Sequence, residues 1–358
     1  MPDLDLTTSS IDITRQLCDL ESVSGNERAI ADAIEAALAP FAHLEVIRDG
    51  NAVVARTALG RDQRVVVAGH IDTVPLNRNL PTRYETEDGI DYLWGRGTVD
   101  MKAGVAVQLK LAVELVCPVV DLTWIWYDNE EVASDLNGLG RIACTRPDLL
   151  EGDFAILGEP TNSAIEGGCN GTMRIELRTT GKRAHSARAW VGVNAIHSAS
   201  AILDILAVYE PRSIEVDGLI YREGLNAVAI TGGIAGNVIP DECVVTVNYR
   251  FAPNADSQQA EQYLREVFAG FDLTVTDSAD GARPGLDALL ARQFSLAVGG
   301  LPLPKYGWTD VARFSSLGIP AVNYGPGEPL LAHADDERVA VAQIIDCERG
   351  LRAWLTAC

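Results

Sequence analysis

The sequence predicts an α/β fold: an open sheet flanked by helices, interrupted by an inserted α+β domain. Three observations carry this. Short, almost wholly apolar runs such as Val65-Val66-Val67-Ala68-Gly69 alternate with helical patterns over the first 160 or so residues, as strands covered on both faces require. Near Gly168 the style changes to strict alternation, with Met173, Ile175 and Leu177 set against Arg174, Glu176 and Arg178, the mark of a sheet with one wet face. The chain also has 358 residues, about twice the usual domain length.

In chain order, apolar spacing predicts helices over 11–20 and 27–38, with Ser24 and Glu27 placed as a capping box for the second. A strand at 65–69, a helix at 102–116 and strands at 122–127 and 154–157 follow. The next stretch reads strand 173–179, helix 194–208, strands 227–234 and 244–251, helix 257–269 and strand 273–276. That β-α-β-β-α-β order is the ferredoxin-like split unit. Helix 286–298, strand 321–324 and helix 339–355 restore the first style. The expected division is a larger domain made of 1–168 and 282–358, with 169–281 inserted.

Composition removes several function classes. Hydrophobic residues are 47% and charged residues 22%, which is ordinary for a folded protein. Twenty-nine Lys and Arg against fifty Asp and Glu give a net charge of −21. Such a field repels phosphate backbones and anionic lipid, so neither nucleic acid nor membrane is an expected partner. Seven cysteines lie far apart with no Cys-x-x-Cys pair, which fits neither a disulfide framework nor a thiolate zinc site. The acidic start at 1–6 lacks a signal-peptide pattern, and the longest apolar stretch, 103–120, is broken by Lys110, Glu114 and Pro118. A cytoplasmic location is the expectation.

Polar residues collect where strands end. His70 and Asp72 follow the 65–69 strand on one face, so Asp72 is placed to hold the imidazole in one tautomer. Gly95-Arg96-Gly97-Thr98-Val99-Asp100 is a glycine turn ending in an acid. It lacks the third glycine of a dinucleotide fingerprint, and Asp100 is either a helix cap or a ligand. Glu130 and Glu131 follow the 122–127 strand, Glu159 follows 154–157, and His333 lies in the C-terminal segment. Each alone reads as readily as a solvated acid or a loop histidine. Together, His70, Asp100, Glu131, Glu159 and His333 supply two imidazoles and three carboxylates, suited to a pair of zinc ions bridged by one carboxylate. The imidazoles argue against calcium.

These motifs, with Gly69-His70-Ile71-Asp72-Thr73-Val74-Pro75, Gly158-Glu159-Pro160-Thr161 and Ala184-His185-Ser186-Ala187, resemble the co-catalytic zinc aminoacylase and exopeptidase family along essentially the whole chain. Its members include acetylornithine deacetylases, glutamate carboxypeptidases and succinyl-diaminopimelate desuccinylases. Gly168-Cys169-Asn170-Gly171-Thr172, His185-Ser186-Ala187-Arg188 and the 325–333 segment are most similar to the actinobacterial desuccinylase branch. The resemblance implies that His70 and Glu159 hold one zinc and Glu131 and His333 the other, two ions per subunit with cobalt able to replace one. It also implies that Asp100 bridges them, Glu130 is the general base and Asp72 orients His70. The inserted domain is implied to be a lid and homodimer interface, with His185 reaching across the dimer to the oxyanion. The expected substrate is a small acylated amino acid, first the succinylated diaminopimelate, with a deacetylase or dipeptidase reaction as the alternative and a metal-free binding protein as the remote one.

The chain departs from its relatives in two places. Cys169 and Asn170 stand where the proteobacterial branch carries an Arg-Arg pair, and Arg188 stands where relatives usually have an aromatic residue. A substrate with several carboxylates needs concentrated positive charge against a field of −21. Arg188 and Arg250 are expected to grip it, with Asn237 as a hydrogen-bond partner and Thr309, beside Trp308, lining the site. Lys182 and Arg183 are expected to add charge around His185.

Overall fold

The valine run of the first strand lies at the middle of the main sheet. Arg64–His70 is buried from Val65 onward and lies between two parallel neighbours, Asp121–Tyr127 and Phe154–Leu157. The computed structural model describes residues 4–357 and builds an eight-stranded mixed sheet around these three strands. Its order is Glu45–Asp49, Ala52–Arg56, Asp121–Tyr127, Arg64–His70, Phe154–Leu157, Ala321–Asn323, Glu166–Gly167 and Leu303–Pro304. Ala321–Asn323 is parallel to Phe154–Leu157, whereas Ala52–Arg56 is antiparallel to Asp121–Tyr127. The C-terminal ends of the three central strands therefore open on one edge of the sheet, where ligand sites of open α/β sheets form.

The helix Lys102–Glu114 buries every residue except Lys110 and Glu114, because it lies inside the fold rather than on its surface. Gln108 donates to the Ala68 carbonyl at 2.8 Å. A Cβ at Gly104 would come within 2.1 Å of the Gly158 carbonyl oxygen, so only glycine lets this helix approach the end of Phe154–Leu157. Phe154, Phe294 and Trp354 pack with ring centroids 4.9 to 6.2 Å apart, each such burial contributing about 1.5–3 kcal/mol.

Some boundaries differ from expectation for local reasons. The helix Arg28–Leu38 has Glu27 as N-cap without a side-chain bond, so the expected capping box is absent. Ser24 instead donates to Asp72, and the Glu27 carboxylate accepts from the Gly25 amide. The last helix starts at Val341, because Arg338–Ala340 is extended and pairs with Ile90–Trp94 in a separate three-stranded sheet.

Gly168–Arg283 with Pro304–Trp308 form a smaller compact unit, the other described residues the larger one. Its sheet has the order Gly224–Gly232, Glu242–Phe251, Gly171–Thr180, Asp272–Ala279, all antiparallel. The first strand thus sits between the third and fourth, the ferredoxin-like arrangement. Met173, Ile175 and Leu177 are buried while Arg174 and Arg178 are exposed. The expected helix 194–208 is two helices, Ala195–Ser198 and Ser200–Ala207, and a hairpin of Ser213–Val216 with Leu219–Arg222 follows. The edge strand Gly224–Gly232 leaves Val228 and Ile230 exposed.

Candidate metal centre

Two strand ends, a turn and a loop bring His70, Glu131, Asp100 and His333 together. His70 closes Arg64–His70 and is 1% exposed. Its Nε2 lies 3.1 Å from Asp100 Oδ1, and its Nδ1 lies 3.3 Å from Asp72 Oδ1. Asp100 turns its other oxygen toward His333, 3.4 Å from Nε2, and that nitrogen is 2.9 Å from Glu131 Oε1. Ligand atoms of His70, Asp100 and Glu131 all lie within 4.8 Å of one another. Asp100 does not cap the following helix; Met101 holds the N-cap position, which leaves the Asp100 carboxylate to the two imidazoles.

Asp72 is fully buried and saturated. It accepts from Ser24 Oγ at 2.7 Å and from the backbone amides of Glu130 and Glu131 at 3.1 Å each, besides facing the His70 ring. It thereby positions both glutamates as well as the imidazole. Glu159 is buried two residues beyond Phe154–Leu157, and its charge acts on Glu130.

The electrostatics favour a cation. Burial works against charge on His70, but Asp100 and Asp72 outweigh it and hold the imidazole well above its usual range. Hydrogen bonds to Asp100 and Glu131 push His333 up to about 10. Burial, reinforced by Glu159, Asp310 and Glu131 and opposed by His70, pushes Glu130 well above the carboxylate range. Two imidazoles and clustered carboxylates, with the far nitrogen of His70 tied to an acid, are a donor set that suits a metal ion and the groups that orient its ligands. The residues present fit a metal.

Arg96 and Glu337 were not among the expected site residues. Glu337 Oε1 accepts from the amides of Val99 and Asp100 at 2.9 and 3.2 Å, and Oε2 from Arg96 Nη1 at 2.7 Å. Ser24 likewise belongs to the site through Asp72. No local spacing marks Glu337, whose partners lie some 240 residues away in sequence.

Residues 66–357 match the description of peptidase family M20/M25/M40. The chain belongs to that family. Among its M20 relatives is a Corynebacterium glutamicum protein named succinyl-diaminopimelate desuccinylase, 47% identical over 366 residues that cover 99% of this chain and 98% of the relative. A Mycobacterium tuberculosis protein carrying a provisional form of that name is 54% identical over 355 residues, 98% and 99% of the two chains. A Staphylococcus aureus tripeptidase superposes with TM-score 0.76 at 21% identity, covering 97% of this chain and 96% of its own. A Sulfolobus solfataricus M20 metallo-carboxypeptidase gives TM-score 0.76 at 15% identity, covering 97% and 98%. These two show the M20 fold. No helix among the described residues is long and apolar enough to cross a membrane.

The smaller unit carries the other expected residues except Thr309. His185 Nδ1 accepts from the Ala187 amide at 3.1 Å, the Arg188 amide donates to the His185 carbonyl at 2.8 Å, and the Ser186 amide donates to the Asn237 carbonyl at 2.9 Å. His185, Arg188 and Asn237 thus form one loop cluster, with His185 and Arg188 exposed. Arg250 stands apart, near the end of Glu242–Phe251, opposite Thr172. Arg183 does not join the charge around His185, because it pairs with Asp241 at 2.7 Å. At the substituted arginine pair, Cys169 and Asn170 are buried and Asn170 donates to the Arg222 carbonyl at 2.9 Å. Thr309, in the larger unit, is buried with its hydroxyl donating to Asn323 at 2.9 Å.

Proposed function

We propose that this chain is a metal-dependent amidohydrolase that removes the succinyl group from N-succinyl-LL-2,6-diaminopimelate, giving LL-2,6-diaminopimelate and succinate. One observation carries the reading: the chain is 47% identical, end to end, to a desuccinylase. The convergence of His70, Asp100, Glu131 and His333 supports metal-assisted hydrolysis. In this reading the metal is zinc, two ions per subunit. His70 and Glu159 would hold one, Glu131 and His333 the other, and Asp100 would serve both. When bound, the pair supplies Lewis acidity that polarises the amide carbonyl and makes a water acidic near neutral pH.

The chain's own residues manage position and protons. Glu130, fixed through its amide to Asp72, takes the water proton at its carboxylate and delivers it to the leaving amine. His185 donates to the oxyanion, a contribution of about 3 kcal/mol for a donor of this kind. Arg188 and Arg250 grip the substrate carboxylates, Asn237 adds a hydrogen bond, and Thr309 lines the pocket.

The smaller unit serves as lid and homodimer interface. Supporting this are the exposed Val228 and Ile230 on its edge strand, since an open apolar edge otherwise invites uncontrolled pairing. The test is a direct comparison of zinc-loaded protein on succinyl-diaminopimelate and on acetylornithine, reading succinate or acetate release. A strong preference for the succinylated substrate is expected. A preference for the acetylated one would replace this reading with the deacetylase.

A further inference from the structure

Asp100 and His333 reach the cluster from segments far apart in sequence, and neither sits on a regular element. Asp100 ends a turn that needs positive φ at Gly95 and Gly97, +149° and +81°. His333 lies in a loop and has φ +64°. Loops of this kind have many conformations, so something must hold these two in register.

Glu337 and Arg96 span the gap. Glu337 is 1% exposed and Arg96 is 3% exposed. One Glu337 oxygen gathers the amides of Val99 and Asp100, which fixes the end of the glycine turn. The other takes Arg96 Nη1 at 2.7 Å, and Arg96 Nη2 reaches the His333 carbonyl oxygen at 3.5 Å. The Gly95 amide completes the tie by donating to the Glu337 carbonyl at 3.0 Å. Neither charged group is among the clustered ligand atoms. A buried ion pair is a poor device for stability alone, since its desolvation consumes most of its attraction and apolar replacements often do as well. A fixed geometry is what such a pair supplies best.

We propose that Arg96 and Glu337 are positioning residues that join the Asp100 turn to the His333 loop and thereby set the metal affinity of the site. The proposal rests on the reading of Asp100 and His333 as metal ligands. It separates two properties that a merely structural pair would leave coupled, the stability of the metal-free protein and its grip on metal.

The test removes both charges at once, Arg96→Met with Glu337→Gln, whose side-chain carbonyl can still accept from the Val99 and Asp100 amides, and uses Arg96→Lys as the conservative variant. Lysine keeps a charge opposite Glu337 but has no second arm for the His333 carbonyl. Zinc affinity is read by competition with a chromophoric chelator, thermal midpoint on the metal-free protein, and coordination geometry from the visible absorption of the cobalt-loaded protein. The double variant is expected to keep a midpoint near that of the parent, lose about tenfold or more in zinc affinity and shift the cobalt spectrum. Arg96→Lys should show a smaller loss of the same sign. Parental zinc affinity and an unchanged cobalt spectrum in the double variant would overturn the proposal; if that variant does not fold, the same result in Arg96→Lys overturns it. Asp100→Asn and His333→Ala run in parallel. If these two keep parental affinity, the ligand reading beneath the proposal fails instead.

Discussion

Ser24 Oγ donates to Asp72 Oδ2 at 2.7 Å, across forty-eight residues of sequence. Through this bond the loop before the second helix steadies the carboxylate that orients His70 and holds the amides of Glu130 and Glu131. Asp72→Ala is expected to lower metal affinity about 10- to 100-fold, as loss of a supporting carboxylate does. Ser24→Ala should cost only a few-fold, because one of several donors is removed. Chelator competition measures both, and an Asp72→Ala protein with parental affinity would refute the role.

The adjacent glutamates should behave differently. Glu130→Gln is expected to bind two metals and lose kcat by about 10²- to 10⁴-fold, the usual worth of a positioned acid–base group. Glu131→Gln should bind less metal, because its Oε1 is the atom beside His333. Metal content by elemental analysis together with steady-state rates separates the two. Equal loss of rate with full metal in both would show that the roles are not divided.

The histidine of the smaller unit is testable by complementation. A His185→Ala protein and a Glu130→Gln protein should each be inactive. Mixed under conditions that exchange subunits, they should recover activity, since one site in each mixed dimer is complete. Absence of recovery despite exchange shown by native mass spectrometry would place His185 in its own chain's site or outside catalysis.

Arg188 and Arg250 differ in surroundings, the first exposed at a kink in the short 3-10 helix Ser186–Val191 and the second half-buried on a strand. Replacing either with Met should reduce kcat/KM on the succinylated substrate by about 2–4 kcal/mol, the usual cost of unpairing a charge. An analogue lacking the carboxylates should respond little. Equal losses on the two substrates would assign these arginines to the scaffold.

Metal removal should lower stability as well as activity. Asp100, Glu131 and Glu130 crowd one half-buried region, and a bound cation offsets their repulsion. A ligand at a thousand times its Kd stabilises by about 4 kcal/mol, so zinc should raise the thermal midpoint of chelated protein by several degrees. A midpoint insensitive to zinc would mean that the cluster does not bind it.

The elements that sequence revealed are those whose pattern burial enforces. Val65–Val67 and Phe154–Leu157 lie in the core, and their uninterrupted apolar runs say so. Arg83–Glu87 is exposed at every position, so no pattern marks it as a strand, and the hairpin Glu45–Asp49 with Ala52–Arg56 was missed as well. In the cluster, His70 and Glu131 were legible because each lies at or just beyond the end of an apolar strand. Ser24, Arg96 and Glu337 were not, because their roles are made by contacts over 48 to 241 residues that no local spacing records. The Ser24–Glu27 spacing even suggested a cap, where tertiary contacts with Asp72 win.

The insertion has a consequence for the order in which the protein is made. All four strands of the smaller sheet lie within residues 171–279, so that unit can fold while the ribosome is still translating the C-terminal part. Phe154–Leu157 meanwhile lacks its partner Ala321–Asn323 and presents an unpaired apolar edge, the kind of surface that chaperones shield in nascent chains. His333 emerges later still. Newly made chains therefore cannot set His333 beside Glu131 until residue 333 has been added, so in the proposed reading the centre closes only after the smaller sheet has had time to form.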